Sequence, residues 1–409
     1  MSKFVVIGAS AAGINCAKTL RQNDKECEIT LVSKDDKVYS RCILHHYIDG
    51  RREIEALDFT PKDFFKKYNI KWIKGVEATG IDTDKKIINL SNNETITYDK
   101  VLLAAGSNSF LPPIENLRTA NNVIGLRNLD DAIKIKEKAK EVKNIVVLGA
   151  GLVGVDVLAG LLHYDVNISL IEMGDRLLPL QLDKYAASVY EEKLKDKGVN
   201  LKFNVKAEKV IVDESNNPKA ILLNTGEEVP CDLIIACAGV RSNIEFLKGS
   251  KIECDKFGLI INEKGETNIK DVYGAGDITG RNPIWPTAVK EGIIAANNMT
   301  NQKSEMDDFF GSKNTMNFCG LATMSLGIVN KPDETYKEVI EKKNEDYKKI
   351  IYKDGLIHGA IVQGDLSYVG VLTQLIKDKI NVDKVKKPLF NIDYSDFFNE
   401  TENLEFIYL

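Results

Sequence analysis

The sequence of 409 residues has few of the features that direct a protein to an oxidising compartment or a membrane. Its seven cysteines are an odd, scattered set without a CxxC spacing, which argues against a disulfide framework and against a zinc site. The longest apolar stretches, such as residues 233–240, fall far below the roughly 18 residues of a membrane span. No charged-then-apolar leader precedes the first apolar run, and the formal net charge is only −5. We therefore expect a cytoplasmic protein without a metal site that binds neither nucleic acid nor membrane.

One motif occurs twice, about 140 residues apart. Residues 4–8 (FVVIG) and 145–149 (IVVLG) are apolar, strand-like runs. Each is followed by a turn of small residues, a helical stretch and a second apolar run. Near-continuous apolar strands are typical of a parallel sheet covered on both faces. The repeat predicts an α/β protein with two doubly wound, Rossmann-type dinucleotide-binding domains.

The chain outside these two motifs indicates where the domains begin and end. Pro112-Pro113 marks a crossing from the first domain to the second, because proline stops regular structure. After residue 304 the pattern changes to alternating runs, a turn at 353–355 and a helix near residues 369–380. The predicted domains are a first dinucleotide-binding domain at 1–112 and 241–303, a second at 113–240, and a C-terminal α+β domain at 310–409.

The first candidate site is the turn at residues 8–13, GASAAG. Gly8 permits a tight turn, Ser10 lets the backbone approach a pyrophosphate, and Gly13 allows helix and strand to pack closely. The helix that follows would direct unpaired N–H groups at the phosphates. At the end of the second strand, Ser33 stands where an acidic ribose ligand is usual, and it can still make one hydrogen bond.

A second short motif, GAGD at 274–277, supports this site. A glycine-rich turn that ends in Asp277 suits a carboxylate that accepts hydrogen bonds from a ribityl chain. In isolation it would more often be an ordinary turn. Its combination with the N-terminal turn and a second fingerprint between them is much harder to obtain by chance.

The second site is the complete GxGxxG of residues 149–154, GAGLVG, with a strand before it and a helix after it. Glu172 ends the next strand, where a carboxylate can accept from both ribose hydroxyls and would repel a 2′-phosphate. This favours NADH over NADPH, although Arg176 nearby could partly accommodate a phosphate. We expect Asp156, one turn into the helix, near the nicotinamide end.

Together these residues resemble the flavin-dependent pyridine-nucleotide oxidoreductases related to glutathione reductase, over essentially the whole chain. Further matches are Ala105-Gly106, Leu126-Arg127 and Gly239-Val240-Arg241. The resemblance implies hydride transfer from NADH to FAD and electron transfer from the flavin to a second substrate. It also implies a possible homodimer formed through the C-terminal domain. The residues expected to bind the two cofactors are Gly8, Ser10, Ala11, Ala12, Gly13, Ser33, Lys34, Arg41, Ala105, Gly106, Arg127, Gly149, Gly151, Leu152, Val153, Gly154, Glu172, Gly239, Gly276 and Asp277.

The loop at residues 38–50, VYSRCILHHYIDG, carries features of two branches of that family. It lacks the CxxxxC pair of the disulfide reductases. Cys42 matches the single cysteine of NADH oxidases, NADH peroxidases and coenzyme A-disulfide reductases. Tyr39-Ser40-Arg41 is similar to NADH:rubredoxin oxidoreductase and the flavoprotein part of nitrite reductase. We name Cys42 and Arg41 as candidate catalytic residues.

Two arguments bear on the chemistry of this loop. Arg41 and the start of a helix would lower the pKa of Cys42, although a free cysteine is more often a small buried hydrophobe. His45 and His46 could act as acid or base, or could make structural hydrogen bonds.

Two departures from the single-cysteine branch decide the leading hypothesis. Ala11 stands where peroxidases of that branch place a histidine, so peroxidase activity is not expected. The C-terminal segments 359–365 and 370–380 resemble the rubredoxin-oxidoreductase branch. The leading hypothesis is an enzyme that passes electrons from NADH to a small redox protein such as rubredoxin, or to a small-molecule acceptor. The alternatives are a Cys42-dependent NADH oxidase or coenzyme A-disulfide or persulfide reductase, and a non-catalytic nucleotide sensor.

Overall fold

The computed structural model describes residues 1–306, 313–343, 345–403 and 406–408. Its strands are β1 (Lys3–Ile7), β2 (Glu28–Ser33), β3 (Ile70–Lys74), β4 (Ala78–Asp82), β5 (Ile87–Leu90), β6 (Thr95–Thr97), β7 (Lys100–Leu103), β8 (Ser107–Ser109), β9 (Val123–Gly125), β10 (Asn144–Leu148), β11 (Asn167–Ile171), β12 (Asn200–Lys202), β13 (Ala207–Val212), β14 (Pro218–Leu223), β15 (Glu228–Pro230), β16 (Leu233–Ala236), β17 (Val240–Ser242), β18 (Val272–Gly274), β19 (Asn314–Phe318), β20 (Leu321–Gly327), β21 (Lys337–Lys343), β22 (Asp346–Lys353), β23 (Leu356–Gln363), β24 (Phe398–Glu400) and β25 (Phe406–Tyr408). Its helices are α1 (Ala11–Asn23), α2 (Leu44–Ile48), α3 (Phe64–Lys67), α4 (Leu129–Lys138), α5 (Leu152–Leu161), α6 (Lys184–Asp196), α7 (Trp285–Met299) and α8 (Val369–Lys377).

The chain forms two compact units, each described here by itself. The first comprises residues 1–148, 160–166 and 207–306. The second comprises residues 149–159 and 167–206 together with the described residues from 313 onward. The three-domain division expected from the sequence stays a prediction.

A parallel sheet organises the first unit, with the strand order β18-β7-β1-β2-β3. Alternate residues of β1 enter two different cores, as the two-residue period of a strand requires. Phe4 and Val6 pack with residues of α1 and α7, whereas Val5 and Ile7 pack with β7 and the antiparallel β4-β5 pair. Both faces of β1 are therefore covered, which explains its continuous apolar sequence.

Close backbone approach holds α1 and α7 on this sheet. A Cβ added to Gly13 of α1 would lie 1.8 Å from the carbonyl oxygen of Gly8, and one added to Gly292 of α7 would lie 2.2 Å from that of Ala12. Only glycine fits at such approaches, because any side chain would force the elements apart. Three further parallel strands of the first unit, β10, β16 and β9, pair in that order.

The second unit contains the parallel pair β11-β12 and an antiparallel sheet with the order β19-β20-β23-β22-β21. One face of this sheet is apolar, where Leu326, Ile350 and Val362 pack against Leu372 and Leu375 of α8. The opposite face carries polar side chains. This antiparallel sheet with its helix is the α+β arrangement expected for the C-terminal segment.

The fold class predicted from the sequence is confirmed, and the differences lie at the ends of elements. Helix α1 begins at Ala11, because the small residues of the turn already form its first helical turn. Strand β16 ends at Ala236 and covers only the first half of the apolar stretch at residues 233–240. Among the described residues, no helix combines the length and the apolar character that crossing a membrane requires.

One buried arginine ties the end of α1 to its neighbours. Arg21 is only 8% exposed and donates to the carbonyl oxygens of Asp24, Lys25, Cys27, Tyr68 and Asn69. Its guanidinium therefore joins the α1–β2 connection to the end of α3. Because the cation is fully hydrogen-bonded, its burial is tolerated.

We expect Arg21→Met to destabilise the protein by about 3 kcal/mol, because one buried and four partly buried carbonyl groups lose their donor. Urea unfolding followed by tryptophan fluorescence would measure the change. The matched control is Lys25→Met, which removes an exposed cation from the same connection. Equal unfolding midpoints for the two variants would contradict the structural role of Arg21.

Candidate functional site

A cavity of about 650 Å³ opens in the first unit where β1, β2, β7 and β18 end. This is the edge at which open α/β sheets bind nucleotides. Its volume lies in the range of small-molecule and cofactor sites. The residues predicted to bind FAD that line it are Gly8, Ser10, Ala11, Ala12, Ser33, Lys34, Arg41, Ala105, Gly106, Arg127, Gly276 and Asp277. Gly13 lies behind this lining in α1, and Gly239 lies outside it, exposed at the turn before β17.

The turn after β1 has the geometry that a pyrophosphate requires. Gly8 has a φ of 112°, and a Cβ there would lie 2.1 Å from the carbonyl oxygen of Ala104. Ser10 begins α1 without a side-chain cap, so the first N–H groups of this helix remain donors for an anion. Ala11 and Ala12 line the cavity and keep that end of the helix uncrowded.

Ser33 holds the loop that follows β2. Its hydroxyl donates to the carbonyl oxygen of Asp35 at 2.7 Å and accepts from the indole nitrogen of Trp72 at 2.8 Å. The hydroxyl hydrogen of Ser33 is therefore used within the protein. A ribose hydroxyl could interact with Ser33 only by donating to its oxygen. Lys34 is exposed, and its ammonium lies 3.9 Å from the carboxylate of Glu77.

Asp277 lies in the short 3₁₀ turn after β18, within a network of charge and hydrogen bonds. Its carboxylate forms an ion pair with Arg127 and accepts from the hydroxyl of Ser107 at 3.3 Å. Arg127 also donates to the carbonyl oxygen of Ser107 at 3.1 Å. Since both charges are mostly buried, this pairing keeps the carboxylate in place while its other oxygen stays a potential acceptor for ribityl hydroxyls.

A buried carboxyl that the sequence analysis missed supports this turn. Glu291 of α7 is 7% exposed, and it accepts the N–H of Gly276 at 2.6 Å. Burial raises the pKa of Glu291 to about 7. The sequence feature that could have indicated this role is that Glu291 is the one acidic residue of α7, which consists largely of small and apolar residues. Trp285, at the start of α7, also lines the cavity and was missed.

Arg41 is held by the loop that carries it. Its guanidinium lies 2.7 Å from the carboxylate of Asp35 and 4.8 Å from the ring centre of Tyr39. The hydroxyl of Tyr39 donates to the same carboxylate at 3.1 Å. Because Asp35 partly compensates its charge, Arg41 stabilises a neighbouring thiolate less than an unpaired arginine would.

Cys42 is exposed and belongs to the cavity lining, in the 3₁₀ turn Arg41–Ile43. The sequence predicts it at the start of a helix, and it lies in the 3₁₀ turn that directly precedes α2, which starts at Leu44. A single 3₁₀ turn followed by a five-residue helix supplies little of the dipole that lowers a thiol pKa. The structure thus brings Arg41 and Cys42 to the cavity but weakens both arguments for an activated thiolate.

His45 and His46 lie in α2. Burial lowers the pKa of His45 to about 4, and the neighbouring His46 and Arg51 act in the same direction. Burial and Arg51 also lower the pKa of His46, although its ring lies 3.9 Å from the carboxylate of Asp49. Both rings are therefore neutral at neutral pH, which favours a structural role over acid catalysis.

The second predicted site lies in the second unit. Gly149 has a φ of 107°, and its N–H donates to the carbonyl oxygen of Ile171 at 2.9 Å. A Cβ added to Gly151 would meet no described atom within 4 Å, so space is open beside the turn. Leu152, Val153 and Gly154 form the first turn of α5. The residues present fit a dinucleotide pyrophosphate at this helix N-terminus.

The carboxylate of Glu172 lies against this turn. It accepts the N–H of Ala150 at 2.7 Å and the N–H of Gly174 at 2.6 Å. Arg176, which could have accommodated a phosphate, donates to the carbonyl oxygens of Pro179 and Leu182 and pairs with Asp175 at 2.6 Å. With Arg176 held inside its own loop, the site presents a carboxylate, which favours NADH over NADPH.

Asp156 projects from the second turn of α5. Desolvation by the surrounding protein raises its pKa from 3.8 to about 8. The carboxyl is therefore mostly protonated at neutral pH and can donate a hydrogen bond.

We expect Asp277→Asn to weaken FAD binding at least about tenfold, because it leaves the partly buried Arg127 without its counter-charge. FAD titration of the deflavo protein, read at 450 nm, measures this. The control variant Asp84→Asn removes a surface carboxylate paired with Lys251. An unchanged FAD affinity in Asp277→Asn would exclude the ribityl role.

We expect Asp156→Asn to stabilise the protein increasingly between pH 4.5 and pH 8. The unfolded chain ionises near pH 3.8 and the folded chain near pH 8. Stability from the protonated carboxyl is therefore complete below the lower pKa and is lost as the pH rises toward the higher one. Asparagine stays neutral, so the difference in Tm between variant and parent should grow over this range. Asp165→Asn, at an exposed site, is the control variant. A Tm difference that does not change with pH for Asp156→Asn would contradict the raised pKa.

Comparison with known proteins agrees with this geometry. Residues 2–292 match the family model described as pyridine nucleotide-disulphide oxidoreductase, and residues 313–380 match the rubredoxin NAD+ reductase C-terminal domain. The chain is 28% identical over 389 residues to the epsilon subunit of NADH-dependent phenylglyoxylate dehydrogenase of Aromatoleum evansii, covering 92% of this chain and 91% of that one.

Two further relatives represent the two branches. An NADH oxidase of Methanocaldococcus jannaschii is 30% identical over 320 residues, covering 73% of this chain and 70% of the relative. The NADH-rubredoxin oxidoreductase of Clostridium acetobutylicum is 26% identical over 391 residues, covering 94% and 97%. A solved structure of the latter enzyme superposes with a TM-score of 0.73 over 94% of this chain and 96% of that one. The predicted resemblance is confirmed: the chain belongs to the pyridine nucleotide-disulphide oxidoreductase family.

Proposed function

We propose that this enzyme passes electrons from NADH through FAD to a small redox protein such as rubredoxin. The observation that carries the proposal is the match of residues 313–380 to the C-terminal domain of rubredoxin NAD+ reductases. The predictions of an NADH-dependent oxidoreductase and of FAD and NADH as its cofactors are confirmed by the family. The hypothesis of a non-catalytic sensor is therefore dropped.

Each unit contributes one set of cofactor contacts to the proposed mechanism. Bound FAD supplies the chemistry of hydride acceptance and onward electron transfer. In the first unit, the turn after β1 would hold the pyrophosphate, and Asp277, paired with Arg127 in a turn whose Gly276 N–H donates to Glu291, would hold the ribityl chain. In the second unit, the Gly149–Gly154 turn would hold the pyrophosphate of NADH, and Glu172 its ribose.

The loop that carries Arg41 supports an acceptor other than a thiol substrate. Arg41 is paired with Asp35 and lies against Tyr39, so its charge is not reserved for a thiolate. Burial lowers the pKa of both His45 and His46, which disfavours an imidazolium as the proton donor to a thiol leaving group. Transfer of electrons to a carrier protein needs neither group.

The second candidate function is a Cys42-dependent reduction of dioxygen, a disulfide or a persulfide. It is favoured by one observation, the exposed position of Cys42 on the lining of the cavity. A thiol at the cavity wall could exchange electrons both with the flavin and with an outside substrate.

The Cys42→Ser variant separates the two functions. We expect anaerobic, NADH-reduced enzyme to transfer electrons to oxidised rubredoxin, and the variant to retain at least about half of this rate, because a carrier does not need the thiol. Visible spectroscopy of rubredoxin bleaching measures the rate. Cys254→Ser is the matched control, since Cys254 is also exposed but does not line the cavity.

Loss of most activity in Cys42→Ser, with Cys254→Ser unchanged, would support the thiol enzyme and overturn the carrier proposal. The same conclusion would follow if the parent enzyme failed to reduce rubredoxin but turned over with coenzyme A disulfide, a persulfide or dioxygen. The homodimer and the cytoplasmic location stay predictions from the sequence.

A further inference from the structure

The antiparallel sheet of the second unit has an unusual polar face. Thr323, Ser325, Tyr347, Lys349 and Gln363 are each at most 4% exposed. The strand register places them together, because Thr323 and Tyr347 flank Gln363 in one row, and Ser325 and Lys349 flank Ile361 in the next. We call these five residues the polar face.

The polar face binds helix α6 of the nucleotide-binding fold. The hydroxyl of Tyr190 donates to the carbonyl oxygen of Leu321 and lies 2.7 Å from the hydroxyl of Thr323. The side-chain amide of Gln363 donates to the carbonyl oxygen of Ala186 at 3.1 Å. Such buried, directional hydrogen bonds favour one orientation of the helix on the sheet, which a purely hydrophobic contact would define less well.

Asp183 is the centre of this contact. One oxygen of its carboxylate accepts the N–H of Ala186 at 2.9 Å and caps α6. The other accepts from the hydroxyl of Tyr347 at 2.5 Å and from the ammonium of Lys349 at 3.2 Å. Lys349 is itself held by Glu338 at 2.8 Å. Burial and the neighbouring carboxylate raise the pKa of Tyr347, so its hydroxyl remains a donor.

The loop before Asp183 connects it to the nucleotide site. Residues 173–182 leave the strand end at Glu172, and the N–H of Leu178 donates to the carbonyl oxygen of Ala150 in the glycine-rich turn at 2.9 Å. Leu178 has a φ of 49°, a left-handed conformation that surrounding contacts must hold. At the C-terminal end of the loop, Arg176 donates to the carbonyl oxygen of Leu182 at 3.2 Å. The loop is thus fixed at the turn on one side and at Asp183 on the other.

We propose that Asp183, held by Tyr347 and Lys349, is a positioning residue for NADH binding. The C-terminal sheet holds Asp183, Asp183 fixes the end of the 173–182 loop, and the loop keeps Ala150 and Glu172 in the geometry that receives the nucleotide. The inference rests on the proposed role of Glu172 and the Gly149–Gly154 turn, and it does not depend on which acceptor the flavin reduces.

Tyr347→Phe is the mildest test, because it removes one hydrogen bond to Asp183 and keeps the ring. Tyr352→Phe is the matched control, since Tyr352 belongs to the same strand but packs with the apolar core on the opposite face. In anaerobic stopped-flow experiments, bleaching of the flavin by NADH gives the Kd of NADH and the limiting rate separately. We expect Tyr347→Phe to raise the Kd at least about fivefold, with the limiting rate and the flavin spectrum within about twofold of the parent.

A purely structural role predicts a different result. If the two tyrosine variants bind NADH with the parental Kd, the proposal is overturned. It is also overturned if Tyr347→Phe lowers the limiting rate and leaves the Kd unchanged. Asp183→Asn, which keeps an acceptor for the helix cap but loses the charge, should raise the Kd as well.

Hydrogen exchange on the unaltered enzyme tests the same coupling without a variant. Because coupling between two sites is reciprocal, saturating NAD+ should slow amide exchange in α6 and in β22. Unchanged exchange in β22, with slowed exchange around the Gly149–Gly154 turn, would overturn the proposal. Absence of any NADH-dependent bleaching in the parent enzyme would instead refute the proposed function.

Discussion

The structure depends on close approach between backbone segments at the end of β1. The turn at Gly8 passes so near Ala104 that a Cβ would lie 2.1 Å from its carbonyl oxygen, and Gly13 lies equally tightly against Gly8. This contact packs α1 onto the sheet and directs its uncapped N–H groups into the cavity. A phosphate can approach the backbone there because no side chain intervenes.

Two arginines that line the cavity form ion pairs, which makes their partial burial tolerable. Arg127 pairs with Asp277, and Arg41 pairs with Asp35. Each pair keeps charged groups at the cavity without leaving an isolated buried ion, which would be strongly unfavourable. The same pairing changes the interpretation of the loop at residues 38–50, because an arginine bound to a carboxylate activates a thiol less than an isolated one does.

The two faces of the C-terminal sheet in the second unit make different contacts. Its apolar face forms an ordinary core with α8, whereas its polar face binds α6 through Asp183. A hydrophobic contact of similar area would hold the helix as firmly but would define its orientation less well. The polar contact therefore suits a helix whose N-terminus follows the 173–182 loop, as the proposed positioning of NADH requires.

The sequence by itself determined the fold class and located both glycine-rich turns and the carboxylates at 172 and 277, because glycine spacing and strand-end acids are local patterns. It could not show that Arg41 faces Asp35, that Cys42 lies in a 3₁₀ turn, or that burial keeps His45 neutral. The sequence also contained no indication of the roles of Glu291, Asp183 and Lys349, since their hydrogen-bond partners lie 15, 164 or 166 residues away. Charge pairing and burial depend on which distant segments meet, and only the tertiary structure decides that.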